Sequence, residues 1–425
     1  MLAIVQNSFD GMLLRLQRYG RQFLPNSLPG WQLDLRIALI AFGFSTFFAF
    51  PSLWQWLAGD PNRINEFLSQ AENPWRRDLT EPILEYRFLV PLLNHWLGLR
   101  GFQAVLPGVV ASCLNLMLLS RIIRTRTQDL GYTFALCSGF ALTFFIAEGT
   151  TFLCSPDSVA HLFVLCLAAF EVPFVLACLL PALALFVDER SLIAFCFLMI
   201  FWLHQSGLPS WRQLWNHPFG RSIVSLLFGF VLWKLARLGL DLGWWAAPIQ
   251  SSLLQSQTSQ VLASGRPHDG WLAWLINILC AFKWMYLFPV VFTFRLAQLF
   301  LRHDATTMLS VVPNVVLIWT LNVIAFAALV AASAFNGDVW RTVSFGYLFL
   351  VEASILLRTV WPLQAQRLAS TSAVLMLMTP VAYVAPDLSE RIAYPMPFVV
   401  WRTFFGGKGV LSWLLSLIGI QRGGF

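Results

Sequence analysis

Apolar runs of bilayer length divide this chain, and nothing else in it constrains the fold as strongly. They lie near residues 35–57, 102–120, 130–151, 191–208, 222–240, 271–294, 308–333, 341–357 and 368–385. A helix needs about 20 mostly apolar residues to cross the hydrocarbon core of a bilayer. Lipid offers no partner to the backbone, so such a segment must satisfy its own N–H and C=O groups as a helix. Composition agrees. Of 425 residues, 58% are apolar and 12% charged, against about 25% charged in soluble domains, and mean hydropathy is +0.68. A soluble enzyme, a disordered chain and a disulfide scaffold are excluded.

The stretch 157–187 is less simple. Pro156, Glu171 and Pro173 divide it into 158–170 and 174–187, each shorter than the ~20 residues of a span. Counted as two short spans, they bring the total to about eleven. The fold class predicted is all-α: a polytopic transmembrane helical bundle with an amphipathic outer loop and helix after the first span. Residues 1–34 read as a cytoplasmic interfacial segment bearing Arg15, Arg18 and Arg21. Residues 35–385 form the membrane domain, including the outer loop 58–101. Residues 386–425 form a tail, with a run from Val410 to Gln421 too short to span and read as an interfacial or re-entrant helix.

Charge placement gives the orientation. With the N-terminus inside, the loops 121–129, 209–221, 295–307 and 358–367 carry Arg121, Arg124, Arg126, Arg212, Arg221, Arg295, Arg302, Arg358 and Arg367. The opposite loops carry only Arg190 and Arg266 among 152–157, 188–190, 241–270 and 334–340. That is the positive-inside pattern. Acids mark the other face: Asp60, Asp157, Asp188, Glu189, Asp241 and Asp338 all fall where spans emerge. The net charge of +7 follows from this topology, and no basic face for nucleic acid is present. The seven cysteines lie in or beside apolar runs without metal spacing and read as buried thiols. The tryptophans near predicted interfaces, among them Trp54, Trp56, Trp271 and Trp274, fit an aromatic belt.

The outer loop 58–101 is the richest in chemistry. It opens with Gly59-Asp60-Pro61, alternates acids with arginines, and closes with Phe88–Leu99, an apolar stretch read as a surface helix. A carboxylate beside a span can act as general base or metal ligand, and an interfacial arginine can hold a phosphate through two parallel hydrogen bonds. Asp60-Pro61 also reads as a turn opener. Asp157 and Ser158 cap the next helix or, with His161 one turn on, act together. Asp188-Glu189-Arg190 either binds a metal or phosphate or forms a solvated hairpin. Asp338 and Arg341 form an ion pair or a second anion-binding group. Deeper in the spans, Lys283 and Glu352 are each costly alone and are expected to pair with one another. Walker A, Rossmann, HExxH and GxSxG motifs are absent from the sequence.

These features resemble the GT-C superfamily of integral membrane glycosyltransferases. The likeness rests on an inside N-terminus, about eleven spans, a long first outer loop opening at Asp60, and the string YRFLVPLL at 86–93. It extends to the short helices framed by Ser155-Pro156-Asp157 and Asp188-Glu189-Arg190, and so covers mainly the first half of the chain. The resemblance implies transfer of a sugar from a polyprenyl-phosphate donor to a lipid, glycan or protein on the non-cytoplasmic face of a bacterial inner membrane. On this resemblance Asp60 would be the base or metal ligand, and Arg87 or Arg190 would bind phosphate. From their own positions, Asp157 is read as a second catalytic candidate, and Asp188, Glu189, Asp338 and Arg341 as substrate-binding candidates. A divalent metal is compatible with the acids, but no ligand motif calls for one. The alternatives are a transporter or lipid flippase, which would place water-accessible charge at mid-membrane, and a non-catalytic assembly subunit.

Overall fold

Residues 28–48, 61–75, 86–151, 157–207, 217–243, 270–301, 313–335, 339–379, 381–384 and 390–393 are described by the computed structural model. Apolar sequence becomes helix almost throughout. The first helix, α1 (Gly30–Phe48), starts earlier than the run at 35 and takes Asp34 and Arg36 inside it. In the outer loop, α2 (Pro61–Glu72) begins on a proline, a residue suited to the first helical turn. The expected surface helix is present as α3 (Leu89–Leu97), with Trp96 and Leu97 exposed and Gly98 closing it in the left-handed region at φ 67°. Asp60, the interfacial segment up to residue 27 and the tail helix at 410–421 lie outside the described residues.

At the centre, α4 (Leu106–Thr127) carries Arg124 and Arg126 in its last turn, where cations suit the helix dipole. The chain reverses at Gln128, and Asp129 caps α5 (Leu130–Phe140) by accepting from the Tyr132 N–H at 3.0 Å. The run 130–151, expected as one span, is instead two helices. Leu142 and Thr143 make tight backbone bonds to Gly139 and Phe140, and the Thr143 hydroxyl donates to Phe140 O at 2.6 Å. Those bonds end α5, and α6 (Phe144–Thr151) starts afresh.

The doubtful stretch 157–187 forms two short helices, α7 (Asp157–Ala169) and α8 (Phe174–Val187). Next come α9 (Ser191–Ser206) and α10 (Pro218–Asp241). Glycine lets α8 and α10 cross closely: a Cβ on Gly229 would stand 2.6 Å from Cys178 O and 2.8 Å from Pro181 Cβ. Small residues at such crossings let helix backbones approach.

The run 271–294 is broken. A 3₁₀ turn at Lys283–Tyr286 separates α11 (Trp271–Phe282) from α12 (Leu287–Leu301), with Lys283 at φ 46°, a strained position for a residue with a Cβ. Beyond them lie α13 (Pro313–Ser333), the short α14 (Val339–Ser344), α15 (Tyr347–Val360) and α16 (Pro362–Met378). The last run stops short of residue 385. Thr379 is extended ahead of Pro380, as a residue before proline prefers. Two short strands then pair antiparallel, β1 (Val381–Val384) with β2 (Glu390–Ala393), beside an otherwise helical fold.

Among the described residues, five helical stretches are long and apolar enough to cross a membrane: Gln103–Thr127, Pro218–Asp241, Trp271–Leu301, Asn314–Ser333 and Val339–Val360. Helices α5, α7, α8 and α9 are apolar but shorter. Val339–Val360 is the most enclosed of the five. By contrast α10 and α13 leave Leu227, Phe228, Val231, Leu235 and Ile324 exposed, faces suited to lipid.

Helix polarity defines two ends. Ser158 at the start of α7 donates to Gly108 O near the start of α4, and Arg121 near the end of α4 donates to Ala169 O at the end of α7. The upper end therefore carries 86–88, 188–190, the close of α10 and the start of α14. The lower end carries 121–129, 170–173 and 358–362. These are the two groups of loops that the arginine pattern separates.

A buried arginine–carboxylate cluster as candidate functional site

At the upper end, four segments distant in sequence converge on one group of charges. Asp157, at the first turn of α7, is fully buried. Arg341 of α14 grips it with two bonds, Nη2 to Oδ1 at 2.6 Å and Nε to Oδ2 at 2.9 Å, and Arg190 Nη2 adds a third at 3.2 Å. Asp188 is also fully buried. It accepts from Arg190 at 2.5 and 2.8 Å and lies 3.2 Å from Arg87 and 3.7 Å from Arg341. Arg87 in turn holds Glu189 with a two-pronged bond, at 2.7 and 3.2 Å. Three arginines and three carboxylates thus neutralise one another.

Local sequence builds the turn that presents three of them. Asp188 accepts from the backbone N–H of Arg190 at 2.9 Å, a short side-chain turn typical of aspartate. Ser191 and Leu192 bond back to Asp188 and Glu189 and open α9. The solvated-hairpin alternative for Asp188-Glu189-Arg190 is therefore not what forms: Asp188 and Arg190 are buried, and Glu189 alone reaches solvent, at 26% exposure. Burial opposes ionisation of Glu189, but the Arg87 guanidinium outweighs it and holds the carboxyl down at about 2. Burial likewise works against the Arg87 charge, and Asp188 with Glu189 more than restores it, raising its proton affinity.

A second group adjoins the first. Tyr86 donates its hydroxyl to Asp241 at the close of α10, and Arg237 lies 3.9 Å over the Tyr86 ring. Burial, then the Asp241 contact, push the phenol up to about 12. This bridge ties the segment bearing Arg87 to α10. Sequence reading missed it, although Tyr86 stands beside Arg87 in the quoted string.

The structure thus brings Arg87, Asp157, Asp188, Glu189, Arg190 and Arg341 together. Asp60 and Asp338 lie outside the described residues. His161, one turn beyond Asp157, packs its ring among Phe145, Phe345 and Tyr347. The expected pairing of Lys283 with Glu352 is not made. The helix break turns Lys283 toward α16, where Nζ donates to Thr379 O at 3.2 Å, while Glu352 pairs with His204 of α9. Other pairs brace the lower end: Arg124 to Asp34 at 2.8 Å through both nitrogens, and Arg358 to Asp129 at 2.8 Å.

Chemically, a fork of arginine nitrogens on a carboxylate has the geometry in which guanidinium holds phosphate. Both oxygens of Asp157 accept from guanidinium nitrogens, and these bonds hold Arg341 and Arg190 in place. Among the described residues no group of His, Cys, Asp and Glu gathers to hold a metal ion. Compared with models of known families, with curated proteins and with solved structures, the chain matches none.

Proposed function

We propose that this chain is a GT-C-like glycosyltransferase of about eleven spans, with its N-terminus cytoplasmic in a bacterial inner membrane. It moves a sugar from a polyprenyl-phosphate donor to a lipid, glycan or protein acceptor at the upper end, which faces away from the cytoplasm. The observation that carries this reading is the convergence of Arg87, Arg190 and Arg341 at the end where the long first loop returns to the bundle.

In this reading Arg87 is the phosphate contact. It lies at the rim of the cluster, and its partner Glu189 is the most exposed acid there. A donor phosphate takes the place of the Glu189 carboxylate on the Arg87 fork. Arg190 and Arg341, held by Asp157 and Asp188, supply a fixed positive field behind it. Asp60 is the general base that takes the acceptor's proton, and Asp338 completes the site.

The test is a deletion strain of the source organism complemented with Arg87→Ala or Asp60→Asn, scored for lipid-linked sugars. Accumulation of the lipid-linked donor, with the variant still reaching the membrane, is expected. A normal lipid-linked pool in both variants overturns the reading. If Lys283→Met alone then abolishes function at normal protein levels, transport becomes the working account.

A further inference from the structure

Below the cluster, the most enclosed span carries a titratable group that the proposed reaction does not use. Glu352 lies in the second turn of α15 at 1% exposure. Its partner, His204, occupies the last turn of α9 and is 31% exposed. His204 Nδ1 makes an ion-pair contact with Glu352 Oε1, and neither Glu352 oxygen has a hydrogen-bond partner of regular geometry among the described residues. An ionisable side chain within a span is costly unless paired or put to use. This one is paired with the single side-chain type that titrates near neutrality in its ordinary state.

The surroundings set the charge. Arg126, at the end of α4, lies within electrostatic reach of both Glu352 and His204 and stands 6.0 Å over the ring of Phe201 on α9. The other charged groups on elements packed against α15 are committed elsewhere or further off. Arg121 bonds Ala169 O, Arg124 bonds Asp34, Arg295 bonds Gln298 and Arg358 bonds Asp129. Arg367 stands on α16, and α13 has no charged residue. With Arg126 counted, Glu352 and neutral His204 sum to zero, and one added proton makes the group +1.

We propose that Glu352 and His204 form a proton-binding site that opens to the lower end of the bundle. The step is a relay through the imidazole. A hydronium ion gives its proton to His204 Nε2 and becomes water, while the Nδ1 proton passes to Glu352 Oε1. Glu352 becomes a neutral acid and His204 ends as the other neutral tautomer. Nearer Asp157, the rings of Tyr347 on α15 and His161 on α7 stand 5.2 Å apart. Both are fully buried, and the Tyr347 hydroxyl and the two His161 ring nitrogens have no hydrogen-bond partner among the described residues. This site is independent of sugar transfer.

Infrared difference spectroscopy of the full-length protein in detergent, titrated with protons in H₂O and D₂O, tests it. A carboxylic-acid carbonyl band is expected to grow as pH falls, to be missing from Glu352→Gln, and to move its midpoint by about one pH unit in His204→Gln. That unit is the size of change that loss of a neighbouring titratable partner brings. Asp129→Asn serves as the control and leaves the band in place. An unchanged band in Glu352→Gln overturns the proposal. If Glu352→Gln does not fold, an unmoved midpoint in His204→Gln overturns it equally.

Discussion

The two ends of the bundle are held by the same residue types in different arrangements. At the lower end the pairs are separate: Arg124 serves Asp34, and Arg358 serves Asp129. At the upper end partners are shared, so Asp157 is held by two arginines and Asp188 lies against three. A separate pair fastens two helices and can be lost without disturbing another. A shared network makes α7, α9, α14 and the segment before α3 depend on each other. Burying so much charge in one place is a poor route to stability compared with apolar packing. The difference teaches where in this molecule charge fastens two helices and where it couples several segments at once.

The comparison breaks most readily at Arg341. Arg341→Ala leaves Asp157 buried with one guanidinium in place of two, and loss of one partner from a buried pair costs about 3–5 kcal/mol. Thermal unfolding in detergent is expected to show it, and Asp157→Leu combined with Arg341→Leu is expected to recover most of the loss. If Arg341→Ala melts as the parent does, the upper network is no more cooperative than the lower pairs.

Acid sharpens the contrast at Glu189. Its folded carboxyl sits at about 2, below the ordinary value of 4.5, so its contribution is complete above that value. The contribution fades as pH drops from about 4.5 toward about 2. Glu189→Gln is expected to flatten the stability profile in that window, and an unchanged slope counts against the Arg87 bond. The smallest effect belongs to the lower end. Arg358→Ala removes a pair whose members are each about one-fifth exposed, and such pairs contribute roughly 0.2–1 kcal/mol. A loss there matching that of Arg341→Ala would erase the distinction.

Much of this was legible in the sequence, and its limits are physical. Run length and charge foretold helices and the sorting of loops between two ends, because lipid and helix geometry act on local sequence. The members of the upper cluster were each visible as an acid or arginine where a span emerges. Their meeting was not, since Arg87 and Glu189 or Asp157 and Arg341 touch only after helices pack. Lys283 and Glu352 misled for a related reason: two lone charges look like partners until a broken helix turns one of them away. His204 went unnoticed at the end of an apolar run, although an imidazole so placed marks a neighbour in need of one. The turn at 141–143 was hidden because its residues are as apolar as the helices on either side.

The crossing at Gly229 has a mechanical consequence. Twelve residues of helix, about 18 Å at 1.5 Å per residue, run from that contact to Asp241, whose grip on Tyr86 positions the neighbouring Arg87. The glycine is a fulcrum and the upper half of α10 is its arm. A methyl group there must wedge the two helices apart, and the arm carries that displacement to the rim of the arginine cluster. A residue that touches no charge thereby sets where the outermost guanidinium stands.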